Sequence, residues 1–285
     1  MLVCSTGVIG KRLPMINLTQ GLRELVPALS ADGGDAAAHA IMTTDTVATV
    51  RRPVRRLRGR RHGEGRGDDP PVLATMLAVI TTDYALTREE ADAILRPAVD
   101  ATFNRISIDG DCSTNDAVIL LANGASGVER TPARDAELAA AVRQVCGELA
   151  EMIVRDGEGA TVLLQIDVTG AATEAEAIAI AQRVAISPLV KTAAFGHDPN
   201  WGRVLAAAGS AAWGDGFARL DPDRVTLAFN GTPVFVDGAP VDATPDLTGT
   251  LCRIELSLGL GEGSASYIAS DLTYDYVRIN AEYTT

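Results

Sequence analysis

The sequence predicts an α+β protein, and three kinds of signal carry that prediction. Two capping boxes mark helix starts at Thr87 and Thr173, because each threonine is followed three residues later by a glutamate and the pair satisfies free amides of the first turn. Pro132 marks a third helix start. Between the helices lie apolar or alternating runs typical of strands. Strands of antiparallel type mixed with helices, without an internal repeat, favour the α+β class.

The helices are predicted from apolar residues that recur at helical spacing. Leucines over residues 16–29 fall on one face, residues 35–42 are rich in alanine, and residues 131–155 form a long amphipathic stretch. In chain order we predict helices over residues 16–29, 35–42, 87–104, 131–155, 173–185, 204–208 and 275–282.

The strands are predicted where side chains alternate or apolar residues run together. Residues 161–169 alternate as a half-buried strand does, whereas the run from Met76 to Ile80 is typical of a buried strand. In chain order we predict strands over residues 2–5, 73–82, 106–108, 117–122, 161–169, 224–229, 234–236, 251–258 and 264–269.

Composition limits the compartment and the partners. A chain of 285 residues holds one large or two medium domains. The net charge of -12 argues against nucleic acid or an anionic membrane as a partner. No apolar run reaches the roughly 18 residues of a membrane span, and residues 1–7 lack the basic start of a signal peptide. We therefore expect a cytoplasmic protein that acts on small molecules.

The cysteines do not form a recognisable framework. They are far apart and have no metal-ligand spacing, so we expect buried free thiols in a reducing compartment and no metal site. The four positions are Cys4, Cys112, Cys146 and Cys252.

Residues 51–69 differ in composition from the rest of the chain. This basic tract holds eight of the 25 basic residues and has a net charge of +5. It has no apolar period of either kind. The tract can be read as a solvated linker or as an arm that binds anions or RNA, and no aromatic residue is present to stack on bases.

Elimination leaves serines and threonines without a histidine base as candidate nucleophiles, and Thr75, at the border of a core strand, is one of them. The three histidines form no legible Ser-His-Asp arrangement. A threonine at a new chain N-terminus needs no histidine, because its own α-amino group, with a pKa of about 7.7–8.0, serves as the base. This requires cleavage of the peptide bond between Ala74 and Thr75. The spacing of the residues alone favours the ordinary role of a strand threonine for Thr75.

Eight segments share their residues and their order with one enzyme family. They are CSTGVIG (4–10), AIMTTDT (40–46), LATML (73–77), DGDCSTND (109–116), DGEG (156–159), SPLVKTA (187–193), FGHDPNWGR (195–203) and NAEYTT (280–285). In these segments the chain resembles the bifunctional ornithine acetyltransferases of arginine biosynthesis, the glutamate N-acetyltransferases. The matches cover nearly all of the chain outside the basic tract.

The resemblance implies a fold and a maturation step. The fold is a sandwich of helices and mixed β-sheets, of the type shared by self-cleaving ornithine acetyltransferases and aminopeptidases. Cleavage between Ala74 and Thr75 would give an α chain, residues 1–74, and a β chain, residues 75–285. The two chains would stay associated, with two of each in the assembly.

The resemblance also assigns roles to individual residues. Thr75 would take the acetyl group from N-acetyl-L-ornithine and pass it to L-glutamate, while the Thr6 hydroxyl and the Gly7 N–H form the oxyanion hole. The substrate-binding positions are Thr43, Thr75, Glu158, Asn280 and Thr285.

Plain alternatives exist for several of these residues. Glu158 is suited to an amino group but could be a solvated helix end. Asn280 and Thr285 could belong to a frayed terminus. Residues 198–203 are expected to form a rigid structural turn rather than to act in catalysis.

The chain departs from the family pattern in two places. The family has a substantial region before CSTG, which here starts at residue 4, so the chain is expected to be truncated relative to the family. The family also has a glycine-rich segment before the cleavage site, with a substrate-binding lysine eleven residues ahead of the nucleophile, where this chain has Glu64. A series of codons that encodes such a glycine-rich segment gives RHGEGRGDD, the sequence of residues 61–69, when it is translated out of frame. We therefore expect residues 47–72 to be translated between two compensating frame shifts, with impaired cleavage and weak activity as the consequence.

Two rival functions stay open on the sequence. The first is a self-cleaving N-terminal-nucleophile aminopeptidase or amidohydrolase of the same superfamily. The second is an inactive, uncleaved relic or a protein that binds through its basic arm. The sequence predicts no cofactor, and it leaves open whether acetyl-CoA is a second acetyl donor.

Overall fold

The structure, a computed structural model, describes residues 2–8, 10–42 and 76–282. Several predictions fall outside these described residues. They concern Thr43, Glu64, Ala74, Thr75 and Thr285, together with the basic tract.

The described residues form eight helices and eleven strands. The helices are α1 (Met15–Ala28), α2 (Gly34–Ile41), α3 (Arg88–Asp100), α4 (Pro132–Arg155), α5 (Glu174–Ala185), α6 (Pro188–Phe195), α7 (Trp201–Gly209) and α8 (Tyr274–Glu282). The strands are β1 (Leu77–Thr82), β2 (Ile106–Ser107), β3 (Ala117–Ala122), β4 (Leu163–Ala171), β5 (Ala212–Trp213), β6 (Gly216–Phe217), β7 (Thr226–Phe229), β8 (Thr232–Val236), β9 (Ala239–Pro240), β10 (Leu251–Ser257) and β11 (Gly263–Ser270).

The chain divides into two compact units. The first unit comprises Met1–Leu95, Cys112–Val145 and Asn280–Thr285, and the second comprises Arg96–Asp111 and Cys146–Ile279. This division groups residues that lie close to one another in the fold. It is separate from the predicted α and β chains, which are defined by a cleavage site.

The first unit contains a two-stranded parallel sheet. Strand β1 pairs with β3 in the register Leu77 to Ala117. The capping box before α3 forms as predicted: the Glu90 amide donates to the Thr87 hydroxyl at 3.3 Å, and the Thr87 amide donates to the Glu90 carboxylate at 2.8 Å. This pair fixes where the chain turns from the sheet into the helix.

The second unit is built on a seven-stranded sheet in the order β2-β11-β4-β10-β7-β8-β9. Strand β4 pairs with both of its neighbours in different directions: parallel to β10 and antiparallel to β11. Alternate residues of β4, among them Leu164 and Ile166, are fully buried. They belong to one core with apolar residues of α5, such as Ile180. The sheet is therefore mixed, and the predicted α+β class with mixed sheets is confirmed.

A buried carboxylate ties α5 to the loop that follows β6. Glu176 is only 2% exposed, and one half of the predicted capping box forms, because its amide donates to the Thr173 hydroxyl at 3.2 Å. Arg219 donates to both oxygens of the Glu176 carboxylate, at 3.0 and 2.9 Å. The Arg219 guanidinium holds the pKa of Glu176 down at about 2. The bidentate pair meets the requirement that a buried charge be partnered.

Several predicted elements are wrong or incomplete. Residues 2–5 form no strand, and helix α6 and the β5–β6 hairpin were not predicted. The apolar pattern of residues 2–5 fits a strand, but among the described residues no strand pairs with it, and a strand requires a hydrogen-bonded partner. All four cysteines are free, yet only Cys146 and Cys252 are buried as expected. Cys4 and Cys112 are exposed.

Among the residues that the structure covers, no single helix is long and apolar enough to cross a membrane. The bent pair of α5 and α6 passes that test by length and composition only.

Candidate active site

The CSTG segment lies in the first unit and is anchored through Ser5. The side-chain amide of Asn115 donates to the Ser5 carbonyl at 2.6 Å. Because a carbonyl can only accept, the Asn115 nitrogen must face it. The Thr114 hydroxyl donates to the other end of that amide, Oδ1, at 2.7 Å and so fixes its orientation. Thr6, the next residue after Ser5, is half-buried, and Gly7 is exposed.

Met76, the residue after Thr75, is held at both of its backbone polar groups. Its N–H donates to Asp116 Oδ1 at 2.9 Å. Its carbonyl accepts from the Ala117 N–H at 2.8 Å. These bonds precede the first paired residues of β1 and β3, Leu77 and Ala117. The strand that follows the predicted cleavage site is therefore fixed from its first described residue.

One short stretch, residues 115–117, thus holds both the CSTG segment and Met76. Thr6 is one residue beyond the anchored Ser5, and Thr75 is one residue before the anchored Met76. Consecutive Cα atoms are about 3.8 Å apart, so each predicted catalytic threonine is one chain step from an anchor. Thr75 itself lies outside the described residues, as do Ala74 and Thr43.

Glu158 lies in the second unit, in the loop that ends α4. The turn closes with the Ala160 amide donating to the Gly157 carbonyl at 2.8 Å. Gly159 has a φ of +64°, and a Cβ at this position would lie 2.7 Å from the amide nitrogen of Tyr276. Only glycine fits here, so the loop passes directly against the start of α8. Glu158 is half-buried rather than a fully solvated helix end.

Thr273 joins this loop to α8. Its hydroxyl donates to the Gly159 carbonyl at 2.8 Å and accepts from the Tyr276 N–H at 3.0 Å. Thr273 is buried, and it caps the first turn of the helix. A single hydroxyl therefore fixes the Glu158 loop and the helix start relative to each other.

Tyr276 lies among three carboxylates of the second unit. Its hydroxyl donates to Asp109 at 3.2 Å. Burial, together with the negative charges of Asp109, Glu158 and Asp111, raises the pKa of Tyr276 to about 12. The phenol consequently stays protonated at neutral pH and acts as a hydrogen-bond donor. The local negative charge suits an ammonium group.

Asn280 is on α8, four residues after Tyr276, and is exposed. Residues four apart lie on the same face of a helix. Asn280 lies within helix α8, so the alternative of a frayed terminus is not supported for this residue. Thr285 lies beyond the described residues, so its predicted role stays a prediction.

Comparison with known proteins decides the family. The ArgJ family model matches residues 1–285. The chain belongs to the ArgJ family. The arginine biosynthesis bifunctional protein ArgJ of Mycolicibacterium paratuberculosis is 47% identical over 290 residues, which cover 99% of this chain and 70% of that protein. The protein of the same name from Thermobifida fusca is 42% identical over 100% of this chain and 73% of its own.

A solved structure shares the fold. The crystal structure of the arginine biosynthesis bifunctional protein argJ from Bacillus halodurans is similar with a TM-score of 0.69 and 37% sequence identity. The match covers 73% of this chain and 100% of that chain. The predicted family and fold class are both confirmed.

Lys191, in the SPLVKTA segment of this ArgJ-family chain, is a buried cation that the sequence reading did not single out. It is 2% exposed, and its ammonium donates to the Ser270 carbonyl and, at 3.3 Å, to the Ser270 hydroxyl. Burial lowers the pKa of Lys191 to about 8, against the opposing effect of Asp271 and Asp109. A lysine among apolar residues, in a chain with two lysines, was the signal that could have pointed to it.

Residues 198–203, predicted as a rigid turn, form a short irregular segment that runs into the first turn of α7. Asn200 caps α7, accepting from the Arg203 amide at 3.2 Å, and its amide donates to Asp198 at 2.9 Å. His197, with a φ of +53°, places its ring nitrogen 2.6 Å from the Leu247 carbonyl. These bonds hold the segment in place, and its predicted structural rather than catalytic role stays a prediction.

Proposed function

We propose that the chain is an acyltransferase of arginine biosynthesis that moves an acetyl group from N-acetyl-L-ornithine to L-glutamate. The relatives named above carry arginine biosynthesis in their names. The observation that carries the proposal is the shared anchoring of Ser5 and Met76 by residues 115–117. It supports an arrangement in which the segment proposed to hold an oxyanion lies beside the segment proposed to start with the nucleophile.

The proposed chemistry starts with cleavage between Ala74 and Thr75. The new α-amino group of Thr75 takes the proton of the Thr75 hydroxyl, which attacks the acetyl carbonyl of N-acetylornithine. The carbonyl oxygen becomes an oxyanion that the Thr6 hydroxyl and the Gly7 N–H stabilise. Ornithine leaves with the proton, and acetyl-threonine remains. The amino group of glutamate then attacks this ester, which returns the Thr75 hydroxyl and releases N-acetylglutamate.

Substrate recognition in this proposal divides between charged and neutral groups. Glu158 pairs with an ammonium group, and the negative charge of Asp109 and Asp111 near Tyr276 supports that preference. Asn280, Thr43 and Thr285 contribute neutral hydrogen bonds to a carboxylate. The assignment of these residues rests on the family resemblance.

The proposal also covers the form of the enzyme. The chemistry needs no metal or cofactor, because the base is the enzyme's own amino group; acetyl-CoA is a possible second donor. Two α and two β chains form the assembly, in the cytoplasm, with small molecules as its ligands and no nucleic acid or membrane as a partner. The Bacillus halodurans chain is matched over its whole length by 73% of this chain.

Isotope exchange tests the proposal. The purified protein is incubated with N-acetylornithine and labelled ornithine, without glutamate. An acetyl-enzyme predicts that label enters N-acetylornithine, because the half-reaction is reversible. A self-cleaving aminopeptidase would instead hydrolyse peptides and exchange no label. Absence of exchange together with peptide hydrolysis would overturn the transferase proposal in favour of that rival.

A further inference from the structure

We propose that Asn115 and Asp116 are positioning residues that hold the oxyanion-hole segment and the nucleophile in one rigid frame. The inference rests on the proposed function and deepens it. The sequence predicts no role for either side chain; their loop is identified only as one of the segments that resemble the family. Their role follows from which backbone atoms they hold.

Asn115 acts through the peptide unit between Ser5 and Thr6. The Ser5 carbonyl, which accepts from Asn115 at 2.6 Å, is in the same plane as the Thr6 N–H. This hydrogen bond restrains rotation of the peptide plane between Ser5 and Thr6, from which the chain continues to Gly7. The direction of the proposed oxyanion donors is therefore set from a loop more than a hundred residues away in sequence.

Asp116 acts through the peptide unit between Thr75 and Met76. The Met76 N–H donates to the Asp116 carboxylate at 2.9 Å, and a hydrogen bond to a charged acceptor is about twice as strong as a neutral one. After cleavage, Thr75 would be joined to the protein by this peptide bond alone. An anchor on the Met76 N–H is then the nearest backbone restraint on the new N-terminal residue.

The two anchoring side chains belong to consecutive residues, so a single peptide unit fixes the distance between their backbones. The loop itself is fixed: the Asn115 amide donates to the Ser113 hydroxyl at 3.1 Å, and Ala117 begins β3 and bonds Met76. One dipeptide thus holds both the Ser5 carbonyl and the Met76 N–H. A misplacement of about 1 Å in such an arrangement costs about 100-fold in rate.

The test compares four variants with the unaltered chain. Asn115→Ala and Asp116→Ala each remove one anchor, whereas Asp116→Asn keeps an acceptor oxygen. Asn123→Ala is the control, because Asn123 also makes an exposed side-chain to backbone bond, accepting from the Ala125 amide at 3.0 Å, at the other end of β3, but anchors no distant segment through it. The rate constant of Thr75 acetylation and the apparent Kd of N-acetylornithine are measured by single-turnover mass spectrometry. The free energy of unfolding is measured in urea.

We expect Asn115→Ala and Asp116→Ala to lower the acetylation rate constant about 10- to 100-fold with little change in Kd. Asp116→Asn should recover most of the rate. Asn123→Ala should keep the rate even where it loses comparable stability. A rate loss in Asn123→Ala equal to that in the anchor variants would show a merely structural role and overturn the proposal, as would unchanged rates in both alanine anchor variants.

Amide exchange of Met76 by NMR separates this inference from the proposed function. Exchange should be slow in the unaltered chain and in Asn123→Ala and fast in Asp116→Ala. If the unaltered chain forms no acetyl-threonine, the proposed function fails, but the Met76 exchange rate still tests whether Asp116 anchors Met76. Equal Met76 exchange in all three proteins would overturn the positioning role itself.

Discussion

A carbonyl and an amide, each next to a proposed catalytic threonine, are held by neighbouring side chains. The Ser5 carbonyl and the Met76 amide have no catalytic chemistry of their own. Their importance lies in where they fix the chain, because Thr6 and Thr75 are each one residue away. In the proposed mechanism, these backbone anchors act alongside the reacting groups.

Removal of the Thr6 hydroxyl tests the oxyanion hole. We expect Thr6→Val, which keeps the shape of the side chain, to lower the rate of Thr75 acetylation about 100- to 1,000-fold, as loss of one oxyanion donor does elsewhere. Thr6→Ser keeps the hydroxyl and should retain most of the rate. Single-turnover mass spectrometry measures both variants. Equal losses in the two would show that the methyl group, and not the hydroxyl, matters.

Glu64 is the second residue-scale test. The family resemblance places a substrate-binding lysine at this position, so Glu64 would repel an anionic group of the substrate. Charges near 4 Å apart interact by about 1–4 kcal/mol. We therefore expect Glu64→Lys to lower the Kd of N-acetylornithine about tenfold or more, and Glu64→Gln to lower it less. Asp68→Asn, in the same tract, is the control that should leave Kd unchanged. The same Kd for all four proteins would remove Glu64 from the substrate site.

Sequence reading finds residues that act through their own chemistry more readily than residues that act through others. Thr6 and Glu158 were predicted because their segments match a family motif with assigned roles. Asn115 and Asp116 bond partners 110 and 40 residues away, and no local pattern reports such a pairing. Lys191 was missed because burial of a charge depends on tertiary packing.

At the scale of elements, the helices were predicted more accurately than the pairing of strands. Capping signals are local: the box at Thr87 forms in full, and at Thr173 the hydroxyl caps the helix as predicted. Strand direction is set by distant partners. The parallel pairing of β1 with β3 and of β4 with β10 was consequently not foreseen.

Gly159 tests whether the Glu158 loop depends on its contact with α8. Gly159→Ala is expected to lose more stability than Gly127→Ala, although both residues have nearly the same φ, +64° and +61°. A Cβ at Gly127 meets nothing within 4 Å, whereas at Gly159 it meets Tyr276. The positive φ alone costs about 1–2 kcal/mol, and the clash adds about 1–3 kcal/mol. Urea unfolding measures both variants, and equal losses would contradict the close contact.

At the scale of the whole molecule, acid stability reports on the buried pair of the second unit. The depressed pKa of Glu176, about 2 against an ordinary 4.5, means that its contribution is complete above pH 4.5 and is lost as the pH falls toward 2. The Arg219 side chain is 66% exposed, while Glu176 is 2% exposed. Removing the arginine therefore leaves a buried charge with weaker partners.

We expect Arg219→Met to lower the free energy of unfolding by about 1–3 kcal/mol at pH 7. The difference from the unaltered protein should shrink below pH 4.5, because Glu176 then begins to accept a proton in the variant. Arg155→Met, which breaks an exposed pair with Glu151, is the control and should cost at most about 0.5 kcal/mol. A pH-independent difference for Arg219→Met would contradict the role of the Glu176 charge.

The intact mass of the purified protein after incubation with N-acetylornithine tests the central claim most directly. The account predicts a fragment that begins at Thr75 and carries one acetyl group, which glutamate removes. Because Glu64 replaces the expected lysine, it also predicts that some uncut chain remains. A chain that stays entirely uncut, or a Thr75 fragment that never gains acetyl, would contradict the assignment of Thr75 as the nucleophile.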